Sequence, residues 1–203
     1  MSKRLGVLVS GRGSNLQALI DAARAGRLGG EIVAVVSNVE DAPALDRAHA
    51  AGIPAIFRDH RGRVREDFDR EIAGLLRKHR VDLVCLAGFM RLLSAEFVAA
   101  FAGRIVNVHP SLLPAFPGKD AQRRALEHGV KVSGATVHLV DESLDSGPIV
   151  MQEAVPVLDS DDAESLAARI LVAEHRIYPL AVAALLAGRH RLEGRRLIFG
   201  GGV

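Results

Sequence analysis

The 203 residues contain one cysteine, Cys85, so an intrachain disulfide is impossible. That residue lies in the apolar run Val81-Asp82-Leu83-Val84-Cys85-Leu86-Ala87 with no basic neighbour, which reads as a buried, inert thiol. No stretch approaches the length of a membrane span. Met1-Ser2-Lys3-Arg4 leads directly into a strand-length apolar segment, without the long apolar region and cleavage site of a signal peptide. A soluble cytoplasmic protein with no membrane partner is expected. An excess of one charge is also missing: 26 Lys and Arg face 24 Asp and Glu, a formal charge of +2. The densest basic run, Arg58–Arg65, is interrupted by Asp59 and followed by Glu66 and Asp67. It reads as a solvated loop and helix start rather than a nucleic-acid stripe. The eight histidines and single cysteine show no clustered ligand spacing, so no metal is expected. No linker, internal repeat or low-complexity tract divides the chain.

What is present is a sequence 49% hydrophobic, enough to bury one full core and suited to a single domain over residues 1–203. Short β-branched runs alternate with helical periodicity. Leu5–Ser10, Glu31–Ser37, Ala55–Phe57, Val81–Ala87 and Ile105–His109 read as strands. Asn15–Ala25, Ala44–Ala51, Glu66–His79 and a helix from the Ser94 cap to Phe101 lie between them. This rhythm predicts an α/β fold: a doubly wound, mainly parallel sheet with helices on both faces. From Ala135 the pattern changes. Ala135–Val140 and Ile149–Val157 are strands with no helix between them, which predicts antiparallel pairing, and Asp161 or Asp162 opens a long helix to about Ala187.

Three constellations carry chemistry. The first strand ends in Ser10-Gly11-Arg12-Gly13-Ser14-Asn15, where glycines permit a tight turn and the next helix offers free N–H groups to a phosphate. No Gly-Lys-Ser/Thr follows, and the second strand ends in Ser37-Asn38 without the acid of a dinucleotide site. By itself such a turn is as readily structural as phosphate-binding. The second constellation is Asn107-Val108-His109-Pro110-Ser111-Leu112-Leu113-Pro114. Residues two apart on a strand share a face, so Asn107 and His109 converge at the strand's carboxyl end. An amide donor and an imidazole together suit acyl transfer, although a capped strand end with a satisfied histidine also accounts for the pair. The third is Val140-Asp141-Glu142-Ser143-Leu144-Asp145-Ser146-Gly147-Pro148, in which Asp145 precedes the turn into the next strand. From there its carboxylate can reach His109, orient the ring and favour its protonated form.

Asn-x-His-Pro-Ser-Leu-Leu-Pro, Gly134–His138 and Asp-Glu-x-Leu-Asp-x-Gly-Pro, in that order, resemble the formyltransferases that use 10-formyltetrahydrofolate. Ser10–Gln17 and Leu86–Arg91 are similar to the stand-alone glycinamide ribonucleotide enzymes of purine synthesis, and the likeness runs from about residue 5 to Pro179. It implies a catalytic trio of Asn107, His109 and Asp145. It implies a nucleotide site of Gly13, Ser14, Asn15 and Glu174, and a folate site of Arg65, Met90, Arg91, Leu92, Leu93, Asn107, Asp141, Glu142, Ser143, Leu144 and Asp145. Both substrates would be small molecules, with 10-formyltetrahydrofolate as co-substrate, and the enzyme would be a monomer or homodimer. After Pro117-Gly118, where some members place a histidine, this chain has Lys119-Asp120-Ala121-Gln122, and no role is assigned there. Rivals are a 10-formyltetrahydrofolate hydrolase, expected to carry a further N-terminal domain, and a transfer-RNA formyltransferase, expected to carry a further C-terminal one. A non-catalytic nucleotide-binding module is the rival from another class, and it leaves the trio unexplained.

Overall fold

The computed structural model describes residues 2–200. In chain order its elements are β1 (Lys3–Val9), α1 (Ser14–Arg24), β2 (Gly30–Ser37), α2 (Pro43–Ala50) and β3 (Ala55–Phe57). Then come α3 (Arg65–Lys78), β4 (Leu83–Leu86), α4 (Ala95–Ala100), β5 (Ile105–His109) and α5 (Ala121–His128). The last are β6 (Val132–Leu139), β7 (Ile149–Pro156), α6 (Ala163–Leu186), β8 (His190–Glu193) and β9 (Arg196–Phe199).

All nine strands join one sheet in the order β3-β2-β1-β4-β5-β6-β7-β9-β8. Strands β1 to β5 are parallel, β6 is antiparallel to β5, and β7 is antiparallel to β6. The predicted α/β fold, with its parallel half and change of direction after Ala135, is the observed one. Two pieces were not read from the sequence. Helix α5 is short and polar, entered through Asp120 at φ +56 and closed by Gly129. The hairpin β8–β9 adds to the far edge, with β9 running parallel to β7 at Ile149 and Arg196.

Side-chain alternation along the central strands builds two cores. Val7, Val9, Cys85, Val106 and Val108 face α1, α2 and α6. Leu8, Val84, Leu86 and Ile105 face α3 and α4, with Phe68, Ile72, Phe97 and Phe101. Burial pushes the Cys85 thiol up to about 12, as an inert core sulfur requires. On the second face the helices end at α4. Beyond it the positions in register with Ile105 become polar, namely Asn107 and His109 on β5 and their cross-strand partners His138 and Thr136 on β6. Loops cover this part of the sheet, and the candidate site lies beneath them.

Two contacts fix the surrounding elements. The Tyr178 hydroxyl on α6 donates to the carbonyls of Leu86 and Val106 (2.8 and 3.2 Å), pinning that helix across β4 and β5. Asp69 on α3 is buried and accepts the Ser94 N–H at 2.6 Å, while Ser94 Oγ caps α4 through the Phe97 N–H. Burial raises the Asp69 carboxyl, and the bonds from Ser94 partly offset that rise. The segment Met90–Leu93 is therefore anchored at its carboxyl end.

Candidate active site

Asn107, His109 and Asp145 are in one place. His109 Nδ1 stands 3.3 Å from Asp145 Oδ2, and the Gly118 N–H donates to that same oxygen at 2.7 Å. Asp145 can turn inward because its backbone takes φ +48 and the chain then passes very close to β6 at Gly147. A Cβ at Gly147 would lie 1.8 Å from the Leu139 carbonyl oxygen, so only glycine fits there.

The opposite nitrogen of His109 lies 2.9 Å from the Phe116 carbonyl. A carbonyl only accepts, so Nε2 carries a hydrogen. A neutral ring would then present a bare Nδ1 to the Asp145 carboxylate, whereas an imidazolium satisfies both partners. Burial opposes this: His109 is 5% exposed, and desolvation holds its pKa below 6.5 despite the upward pull of the Phe116 carbonyl and Asp145. Sequence reasoning had weighed only the carboxylate, and burial is the larger influence. Asp145 itself lies below the usual carboxylate range. Burial would raise it, but the neighbouring His138 ring, the Gly118 N–H and the nearby His109 outweigh burial.

His138 and Thr136 were not assigned site roles from the sequence. His138 Nδ1 lies 2.9 Å from the Leu139 carbonyl and so donates, leaving Nε2 to accept from Asn107 Nδ2 at 3.3 Å. That bond orients the Asn107 amide and leaves its second N–H free. His138 Nε2 is also 3.6 Å from Asp145 Oδ1. Thr136 Oγ1 donates to the Ser111 carbonyl and accepts the Leu113 N–H, while Gln152 Nε2 reaches both Leu113 O and Thr136 Oγ1. These bonds lash the segment after β5 to β6 and β7. The signal was available: in Gly134-Ala-Thr-Val-His138, polar residues occupy alternate positions of an otherwise apolar strand.

The glycine turn and Glu174 also meet. Asn15 Nδ2 donates to Glu174 Oε2 at 2.7 Å across α1 and α6. Burial raises the Glu174 carboxyl, an effect the Asn15 bond partly offsets. Asn15 Oδ1 is buried and has no hydrogen-bond partner among the described residues. Gly13 takes φ +72 directly before Ser14, the first residue of α1, so the free N–H groups of the first turn point outward from the β1 end.

The residues expected to hold folate form a looser rim. Met90, Leu92 and Leu144 are 67%, 61% and 56% exposed, large apolar groups with unfilled contact surface. The Arg91 guanidinium lies 4.9 Å from the Phe68 ring centroid with its Nε buried and unbonded, and Leu93 packs against the α3–α4 core. Arg65 is exposed and paired with Glu66. Asp141 Oδ1 accepts the Ser143 N–H and shapes the loop, while Glu142 and Ser143 face solvent. Neither Arg65 nor Glu142 touches the trio.

A family model described as formyl transferase matches residues 3–182. Phosphoribosylglycinamide formyltransferase of Escherichia coli is 44% identical, the match covering 94% of each chain. The trifunctional purine biosynthetic protein adenosine-3 of Drosophila melanogaster is 52% identical over 189 residues, 92% of this chain but only 14% of that protein's length. Among solved structures, glycinamide ribonucleotide transformylase 1 from Symbiobacterium toebii superposes with a TM-score of 0.96 at 52% identity, covering 98% of this chain and 94% of that one. A formyltetrahydrofolate deformylase from Pseudomonas syringae reaches a TM-score of 0.92 at 27% identity, covering 98% of this chain and 66% of that one, so the fold alone does not separate transfer from hydrolysis. With nearly the whole chain matched by the family model, and full-length relatives well above 30% identity, this protein belongs to the formyl transferase family.

Proposed function

We infer that the chain is a phosphoribosylglycinamide formyltransferase of purine biosynthesis, moving the formyl group of 10-formyltetrahydrofolate to the amine of glycinamide ribonucleotide. The observation that carries this reading is a pair of neighbouring sites. An amide–imidazole–carboxylate set at the end of β5 and a glycine turn at the end of β1, bonded through Asn15 to Glu174, stand on either side of β4. Relatives named for this reaction match over most of their own length at 44% and 52% identity.

The ribonucleotide phosphate sits on the N–H groups of Gly13, Ser14 and Asn15, and Glu174 with Asn15 holds the sugar portion. The pterin and benzoyl rings take the apolar rim of Met90, Leu92, Leu93 and Leu144. Arg65, Arg91, the Asp141–Ser143 backbone and Asn107 line the same side. The substrate amine attacks the formyl carbon, a C–N bond forms and the carbonyl electron pair moves to oxygen. The free N–H of Asn107 meets that oxygen.

The active form of His109 is the imidazolium, with Nδ1–H toward Asp145. Its Nε2–H, released from the Phe116 carbonyl, points at the oxyanion. Burial disfavours the cation at rest, and the negative charge forming beside it supplies the missing counterpart. On collapse the bond from the formyl carbon to the folate nitrogen breaks. The proton lost by the amine, passed directly or through water, ends on that nitrogen. No metal enters these steps. Holding both substrates in one cleft supplies the proximity part of the rate.

A purified-chain assay with formate quantified separately tests this reading. Folate deformylation should require the ribonucleotide and yield formylated product one for one. Rapid formate release without the nucleotide, unchanged on adding it, would establish the hydrolase instead.

A further inference from the structure

The carboxylate that faces His109 rides on a loop with open space on one side. Leu144–Pro148, the Leu113–Pro117 segment and the turn of the C-terminal hairpin line an open cavity of about 620 Å³, with Asp145 in its wall. Away from the cavity the loop is well tied, through the Gly118 N–H to Asp145 and the Leu139 N–H to the Pro148 carbonyl. Across the cavity, among the described residues, one side chain reaches the loop backbone. The Arg195 guanidinium donates to the carbonyl of Ser146, the residue after Asp145.

Arg195 projects from a firm base. The hairpin pairs from His190 with Phe199 to Glu193 with Arg196, joins β7 at Ile149 and Arg196, and is closed by the Gly200 N–H on the Arg189 carbonyl. The loop it meets needs outside support, because Asp145 at φ +48 occupies a region that residues with a side chain seldom adopt. A guanidinium on a carbonyl is a charge-assisted bond from a planar donor, suited to holding a peptide group in one orientation.

We propose that Arg195 is a positioning residue for the transfer reaction: by holding the Ser146 carbonyl it keeps the Asp145 carboxylate aligned on His109. The hairpin is then a strut for the catalytic loop rather than a decoration of the sheet edge. This rests on the reading of His109 and Asp145 as a working pair, and it adds a residue from outside the trio, in the turn between the last two strands of the sheet.

The test uses the full chain with Arg195→Ala, Arg195→Lys and, as a control at the next residue, the first of β9, Arg196→Ala. A displacement of about 1 Å at a reacting group costs on the order of 10²-fold in rate. Arg195→Ala should therefore lower kcat roughly 10- to 100-fold with the ribonucleotide KM unchanged. Its pH profile should move as well: an imidazolium that has lost its aligned carboxylate loses its proton at lower pH, so the basic limb shifts downward. Arg195→Lys should recover part of the rate and of the profile, and Arg196→Ala should match the unaltered chain. A wild-type rate and profile in Arg195→Ala overturns the proposal. So does a rate loss with an unmoved profile, no recovery by lysine and a lowered Tm, which is the signature of a purely structural role. If the unaltered chain shows no ribonucleotide-dependent transfer, the functional reading itself fails, a result distinguishable from either.

Discussion

The Ser10 hydroxyl accepts the Met90 backbone N–H at 2.8 Å and donates to Asn38 Oδ1 at 2.5 Å. One side chain thus joins the turn proposed for the nucleotide to the loop proposed for the folate. His60 extends the link, with its Nδ1 2.9 Å from the Asn38 carbonyl and its ring edge-on to Phe68, over which Arg91 lies. Ser10→Ala removes the acceptor of the Met90 N–H, worth about 1 kcal/mol or roughly fivefold in binding. The expected result is a severalfold higher KM for formyl-folate with little change for the ribonucleotide. Equal losses for both substrates would place the effect in the turn itself.

Asn107→Ala, His109→Ala and Asp145→Ala should each lower kcat, the loss of an oxyanion donor being worth roughly 10²–10³. Asp145 acts through His109, so His109→Ala/Asp145→Ala should be far less impaired than the product of its single variants. Multiplicative losses in steady-state kinetics would dissolve the pairing.

Glu174→Gln should raise the KM for the ribonucleotide and leave formyl-folate binding intact. A charged hydrogen-bond acceptor contributes about 1.5–3 kcal/mol, so the increase should be on the order of 10- to 100-fold. Gly13 is a poorer probe of the same site. A Cβ there would lie 2.7 Å from Ala44 Cβ, at φ +72, so Gly13→Val disturbs the packing of α1 on α2 as well as any phosphate. It should lower Tm as well as nucleotide affinity.

The pKa of His109 is depressed in the folded protein by burial, relative to 6.5. A depressed group contributes stability that is present above its unfolded pKa and lost as pH falls through its folded one. Thermal stability should therefore decline as the solution is acidified from 6.5, where the unfolded chain binds the proton first. His109→Asn cannot take up that proton, so its Tm should fall less steeply over the same interval. Parallel slopes for the two proteins would show that other groups dominate.

The parallel half of the sheet was legible because fully buried strands such as Leu83–Leu86 announce themselves as unbroken apolar runs. Asn107 and His109 were legible because strand periodicity alone places them on one face. The reach of Asp145 was suggested by the turn that follows it, yet its coordination by Gly118 was not, since that contact spans two loops. Helix α5 was missed for want of apolar periodicity: Ala121 and Ala125 are its buried residues. The hairpin was missed because its strands are four residues each and β8 is mostly polar, although Glu193-Gly194 carried a turn signal. The protonation balance at His109 depended on burial, which no spacing rule supplies.

Asn15 and Glu174 are bonded across 159 positions of chain. On a ribosome the Asn15 turn emerges well before the helix that bonds to it. Until α6 docks through Tyr178, no amount of local order near Ser14 can recruit the carboxylate. Ligand affinity at the proposed seat should therefore report finished folding and be absent from nascent chains that stop before α6. Occupancy of the proposed seat would in turn stabilise the whole molecule by mass action rather than one corner of it, because both α1 and α6 must be in place to form it.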